Sequence, residues 1–423
     1  MTHASACERA SGYDGPGSCR DGSWARLPAR TLVVTPVAPP HDTGQSIVLD
    51  RLFRPIHPDD YRLLVFSLGK TSPPVNEAGP LPGRTMEVPA TWRDNVSART
   101  PLEMVRAARH ATAEVVHRAK IIANVATAER CQVILAGTGM LPSLPAAILA
   151  GKMSGLPVVV QMFDHWQMQS IGRSSRTIGR LLEPSVVRSA AAVIVPNELL
   201  ADIIQRHTGV RATVIRNPID DAALADRIPA PWPRFPKELR LVYTGQVYHA
   251  QAEALARLVA ALNERGLSKA RIHVYAHQSR GEIASFGVTG PITVHPFVPM
   301  PDIYRVQREA DVLVLPLAFS GAYRDIIRGS STTKLADYLA SGRPTLIHAP
   351  KGSFPAWYAA THSCGLVVDT PSPAALAGAL RLLARDADLR NRLGEAGLRM
   401  ARAEFDAGVA RSQLAEVLGR AAR

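Results

Sequence analysis

Short, uniformly apolar runs recur along this chain, each followed by a helix-like stretch. That alternation restricts the fold more than any single residue does. TLVVTPVA (31–38), YRLLVFSL (61–68), CQVILAG (131–137), LPVVVQMF (156–163) and AAVIVP (191–196) carry little charge and are rich in β-branched residues. Strands without a polar face are covered on both sides, as in a parallel sheet between two helix layers. Helical patterns over 102–129, 141–154, about 174–189 and 197–207 supply those layers. A doubly wound α/β domain is predicted for this half.

DDAALADRIPAPWPRFPKE (220–238) breaks the rhythm with four prolines and reads as a linker. A second series follows, with LRLVYTG (239–245), a helix over 250–265, RIHVYA (271–276), ITVHPF (292–297), ADVLVLPL (310–317), PTLIHA (344–349) and GLVVD (365–369). The expected division is a disordered polar tail over 1–29, a first domain over 30–219, the linker 220–238 and a second domain over 239–400. A last helix over 401–423 is available to pack back on the first domain. Two such halves imply a cleft at the carboxyl ends of their strands, where sheets of this kind bind ligands.

The chain has 423 residues, which fits two domains. Its net charge of +13 suits an anionic partner such as nucleic acid, a membrane surface or an anionic substrate, or reflects a bias spread over solvated helix faces. Aromatic residues make up only 5%, and no run of five cations occurs, which argues against nucleic acid. Four cysteines without metal or redox spacing fit a reducing cytoplasm, and no apolar stretch is long enough for a signal peptide core or a membrane span. The expected location is therefore cytoplasmic, free or peripheral on the inner face of the membrane. Neither a cofactor nor a metal is called for.

STTKLADYLASGRP (331–344) places three hydroxyls and a lysine at the start of a helix. Hydroxyls there cap the orphan N–H groups of any helix, but the same groups with Lys334 can hold a diphosphate. The preceding loop, AFSGAYRDIIRGS, adds Arg324 and Arg328, so three cations are expected to converge on this helix start. Asp337, three residues beyond Lys334, either accepts hydrogen bonds from ribose hydroxyls or pairs with a nearby arginine. Gly44, after the first strand, sits in a loop where backbone could approach a phosphate, or in a plain turn. DHWQ places Asp164, His165 and Trp166 together at a strand end. No GxGxxG, GxxxxGK[ST], GxSxG or HExxH motif occurs, which removes the common dinucleotide, P-loop, hydrolase and zinc-protease readings.

Taken together, the segments VILAGTGMLPSLPAAILAGKMSGLPVVVQMFDHW, AAVIVPNELLADIIQRHTGVRATVIRNPID, RLVYTGQVYHAQAEALARLVAAL, HPFVPMPDIYRVQREADVLVLPL and TTKLADYLASGRPTLI resemble the GT-B-fold, retaining nucleotide-sugar glycosyltransferases (family 4-like, group 1). The resemblance covers roughly 30–400 and implies two Rossmann-like domains around a central cleft. It implies that Lys334 binds the diphosphate of a nucleotide-diphospho-sugar, that Asp337 holds the ribose, and that Thr333 and the helix start assist. Gly44 and Gly245 correspond to the loop glycines of the two domains. Arg324 or Arg328 would stand in for the family's basic pair, in whose place this chain has Gln246 and Tyr248-His249. Asp164 and His165 fall near the family's first-domain acidic/His position, giving them catalytic or sugar-contacting roles. Gly329 stands where the family has the first of two glutamates. The implied acceptor is a glycan, a lipid-linked molecule or a small molecule, read by loops near 40–55, 68–100 and 164–180. An anionic membrane surface is an expected partner, with Trp92 and Trp166 offered either as interfacial contacts or as core. An epimerase or hydrolase acting on the same donor is the enzymatic alternative.

Overall fold

Val, Ile and Thr favour extended backbone, where their branched side chains pack on both faces of a covered sheet. The structure, a computed structural model, describes residues 24–41, 43–67, 79–90, 100–166, 173–224, 239–300, 302–320 and 324–423. The first domain runs β1 (Thr31–Thr35), α1 (Gly44–Phe53), β2 (Tyr61–Ser67), β3 (Arg84–Pro89), α2 (Pro101–Ala128), β4 (Val133–Gly137), α3 (Ser143–Ser154), β5 (Val158–Gln161), α4 (Arg173–Arg188), β6 (Ala192–Val195), α5 (Glu198–Thr208) and β7 (Thr213–Val214). Its strands are parallel, in the order β3-β2-β1-β4-β5-β6-β7.

The second domain runs β8 (Leu239–Thr244), α6 (His249–Leu262), β9 (Ala270–Tyr275), α7 (Arg280–Ser285), β10 (Ile292–His295), α8 (Asp302–Arg308), β11 (Val312–Pro316), α9 (Arg324–Gly329), α10 (Thr333–Ala340), β12 (Thr345–His348), α11 (Phe354–His362), β13 (Leu366–Val368), α12 (Pro373–Arg385) and α13 (Ala387–Glu404). Its sheet is again parallel, ordered β10-β9-β8-β11-β12-β13. Both sheets change winding direction beside their first strand. Val33 lies opposite Leu63 on one side and Leu135 on the other, and Leu241 lies between Ile272 and Val312. Such switch points leave a crevice at the strand ends.

The sheets are buried on both faces. In the first, Leu32, Ile134 and Val160 pack into one helix layer, while Val33, Leu135 and Val159 pack into the other. That second layer is completed by the chain's last helix, α14 (Ala407–Ala421), whose Ala410, Leu414, Val417 and Leu418 are buried in the first-domain core.

Several boundaries differ from the sequence reading. Residues 24–29, expected in a disordered tail, are packed: Arg26 pairs with Asp60 at 2.8 Å, the Leu27 N–H donates to the same carboxylate at 2.9 Å, and Leu27 and Ala29 are buried. Residues 1–23 of that tail, and 225–238 of the linker, lie outside the described residues. Strand β3 was not foreseen, because RTMEVP is a partly exposed edge strand without an apolar run. Gly44 is not in a loop but opens α1, capped by the Thr43 side chain accepting from Ser46 N–H. Helix α13 runs through position 400, so the expected boundary there falls inside a helix.

Candidate active site

A cavity of about 610 Å³ opens between the carboxyl ends of the two sheets. Its second-domain floor begins at Gly245, directly after β8, where φ is +111°. Glycine is needed there twice over, since a Cβ would be strained and would stand 2.8 Å from Lys334 Cε and 3.0 Å from its Nζ. The Lys334 side chain therefore lies flat on bare backbone. Its Nζ is 5.7 Å from the Tyr243 ring centroid. Burial pulls its ammonium below the ordinary lysine value, and Asp337 restores it only in part.

Lys334 sits in the first turn of α10. The Thr332 hydroxyl caps that helix by accepting from Lys334 N–H at 3.4 Å, and the Thr332 carbonyl accepts from Leu335 N–H at 3.2 Å. Tyr338, one turn further, fixes the helix to the sheet by accepting from the Thr244 N–H at 2.9 Å. Thr333 faces α1 across the cleft; a Cβ on Gly44 would lie 3.9 Å from its Cγ2.

The two domains meet around a buried ion pair. Arg51 of α1 reaches Asp337 of α10, its Nη2 lying 2.9 Å from Oδ1 and 3.1 Å from Oδ2. The same guanidinium donates to the Pro218 carbonyl at 2.8 Å and the Tyr304 hydroxyl at 3.1 Å. Burial pushes the Asp337 carboxyl up, and Arg51 pulls it back. Beside this pair, Asn217 donates to the Ser331 carbonyl at 2.7 Å, and Asn197 donates to the Gly329 carbonyl at 2.9 Å. Asp164 accepts from the Ser330 hydroxyl. First-domain side chains thus hold 329–331, the segment that leads into α10.

Family comparison matches both halves. The description "Glycosyl transferase 4-like domain" matches residues 22–218, and "Glycosyl transferases group 1" matches residues 238–386. The chain belongs to the group 1 glycosyltransferases with a 4-like first domain. Solved structures of the same GT-B fold include a glycosyltransferase from Rickettsia africae (13% identity, 92% of this chain and 98% of that one, TM-score 0.63). Also similar are Anabaena HepE in complex with UDP-glucose (12%, 92% and 99%, 0.61) and a sucrose-phosphate synthase from Thermosynechococcus elongatus (14%, 92% and 98%, 0.64). No curated protein matches the chain.

In this glycosyltransferase Gly44, Asp164, Gly245, Thr333, Lys334 and Asp337 line the one cavity. His165 does not. Its ring turns into the first domain, where Nε2 lies 3.0 Å from Glu183 Oε2, and it is buried. The structure therefore gives no support to a sugar-contacting role for His165. Trp166 is also core, at 1% exposure, while Trp92 lies outside the described residues.

The expected convergence of three cations is corrected as well. Arg328 is exposed and absent from the cavity lining, because the last turn of α9 presses on α5; the Arg324 side chain lies outside the described residues. A Cβ on Gly329 would stand 3.3 Å from Leu200 Cδ1 and 3.4 Å from Ile203 Cδ1. The position where the resemblance places the family's glutamate is here a close contact between the domains. Arg176 of α4 lines the cavity instead.

Sequence reading missed Arg51, Arg176 and an aromatic wall of Tyr275, His277 and Phe297, the last two stacked with centroids 3.8 Å apart. Arg51 left a trace, a cation inside the apolar run IVLDRLF, where the helical face it occupies is otherwise core.

Two outcomes follow from this geometry. Arg51→Ala leaves Asp337 buried without its counter-charge and should destabilise the protein by about 3–5 kcal/mol in denaturant melts. Combining it with Asp337→Asn should recover part of the loss, and strict additivity of the two changes would refute the coupling. The second concerns Asp164, whose carboxyl burial pushes up to about 6 against the Ser330 hydrogen bond and His165. The folded state then binds more protons than the unfolded chain between about 4 and about 6, so this group lowers stability as pH rises through that window. The stability of the parent relative to Asp164→Asn should fall across the window and level off above it; a flat difference would remove the assignment.

Proposed function

We propose that the chain transfers a sugar from a nucleotide-diphospho-sugar to an acceptor with retention at the anomeric carbon. The observation that carries this reading is the half-buried Lys334, laid over Gly245 at the start of α10, while the neighbouring carboxylate is taken up by Arg51. A cation short of counter-charge, at the positive end of a helix, suits a diphosphate. As the glycosidic bond breaks, negative charge grows on the departing diphosphate, and fixed protein dipoles and Lys334 stabilise it without a metal ion. Asp337 keeps oxygen lone pairs beyond those facing Arg51 and can accept from ribose hydroxyls. The aromatic wall offers a stacking surface for the base. Retention is what the family resemblance implies, and the bound UDP-glucose named for the Anabaena structure makes a uridine sugar the first donor to try.

The acceptor is proposed to be a glycan or lipid-linked molecule presented at an anionic membrane face. No helix among the described residues is long and apolar enough to cross a membrane. Support comes from the charge of +13 and from α2, which turns Val105, Val116, Arg109, His117 and Lys120 outward along one groove.

A thermal-shift screen of nucleotide sugars tests the donor, because a ligand that binds the folded state raises the melting point. Lys334→Ala should weaken donor binding or turnover by about tenfold or more with the fold intact, as loss of a charge-assisted hydrogen bond implies. Parent-like donor affinity and turnover in that variant would reject the site. Product analysis without acceptor separates transfer from hydrolysis or epimerisation. For the membrane, the protein should sediment with anionic vesicles at low salt and be released as salt rises, and bind neutral vesicles poorly. Equal, negligible binding to both would leave an acceptor free in solution.

A further inference from the structure

Behind the first-domain wall of the cleft, three side chains that the chain sets far apart meet at one point. His165 follows β5, Glu183 lies in α4, and His207 lies in the last turn of α5. Glu183 Oε2 is 3.0 Å from His165 Nε2 and 3.9 Å from His207 Nδ1, and the three ligand-type atoms all lie within 4.8 Å of one another. The Glu183 side chain is 2% exposed, and its Oε1 has no hydrogen-bond partner among the described residues. His207 is half exposed, so the cluster opens to solvent on one side only.

We propose that His165, Glu183 and His207 bind a divalent transition ion of the zinc class, with water completing its shell. Two imidazoles and one carboxylate are a donor set that Zn²⁺ accepts, whereas Mg²⁺ prefers oxygen alone. Bonds of about 2.0–2.2 Å in tetrahedral geometry set ligand atoms somewhat over 3 Å apart. The His165–Glu183 spacing already fits, and His207, being half exposed, has room to close the rest. On binding, the ion takes the Nε2 side of His165 that now faces Glu183; a neutral imidazole then carries its proton on Nδ1, and any further proton held by the pair leaves to solvent. It would fasten the β5 exit, which carries Asp164, to the helix that carries Arg176 and to α5, whose Asn197 cap holds Gly329. The ion would be a brace for the cleft wall, remote from the diphosphate site.

The test needs no sugar donor, so it stands apart from the proposed activity. Full-length, tag-free protein is stripped with a chelator and titrated with Zn²⁺ by calorimetry, with Co²⁺ as the spectroscopic substitute. The expected result is one Zn²⁺ per chain, a rise in melting temperature that chelator reverses and Mg²⁺ does not reproduce, and a visible Co²⁺ band. His207→Ala, a change at a half-exposed position, should fold and lose affinity by about tenfold or more, as should Glu183→Gln. No zinc-dependent rise and no Co²⁺ band would overturn the site. So would parent affinity in either variant, since the ion would then sit elsewhere, for instance on His3, Cys7 and Cys19.

Discussion

The Arg51–Asp337 pair is the constraint on which the cleft depends. It joins the first helix of one domain to the helix at the centre of the other, and both side chains are buried. A buried ion pair adds little net stability over an apolar pair, but neither partner tolerates being left alone. Its value is therefore positional, fixing which face of α10 meets α1. Arg51 has donors to spare for the Pro218 carbonyl and the Tyr304 hydroxyl, so the end of the first domain and helix α8 are fixed by the same group. The pair also allocates charge. With Asp337 committed to Arg51, Lys334 keeps its charge unspent where an anion can reach it.

Around that pair the domains touch through short polar contacts concentrated on residues 329–331. Asn197 and Asn217 bond the backbone carbonyls of Gly329 and Ser331, and Asp164 accepts from Ser330 between them. Gly329 keeps this contact close: a Cβ there would stand 3.3 Å from Leu200 Cδ1 and 3.4 Å from Ile203 Cδ1. Where the resemblance places the family's first glutamate this chain has Gly329 against α5, and among the described residues Arg176 and Asp164 are the charged groups on the first-domain side of the cavity.

Asp164 and His165 show how closely neighbouring residues can divide their work. One faces the cleft and has its carboxyl lifted by burial; the other turns inward to Glu183. A dipeptide that reads as one acid/base constellation is split by the backbone into two separate environments.

The sequence by itself determined the layered architecture. Runs such as TLVVT and VLVLP have no polar face, so they could be stable only between helices, and the proline-rich break separated two such series. It also located the α10 start, because capping hydroxyls and a lysine are local signals readable within a few residues, whereas Gly245 is assigned only through the family resemblance. Edge strand β3 was illegible because half its surface faces water and its pattern carries no apolar run. What only the tertiary structure decided is which distant groups share a charge. Arg51 and Asp337 are 286 positions apart, and their pairing follows from how two sheets face each other, which no local pattern encodes. The inward turn of His165, the outward turn of Arg328 and the return of α14 to the first-domain core were decided the same way, by packing between elements that the chain keeps far apart.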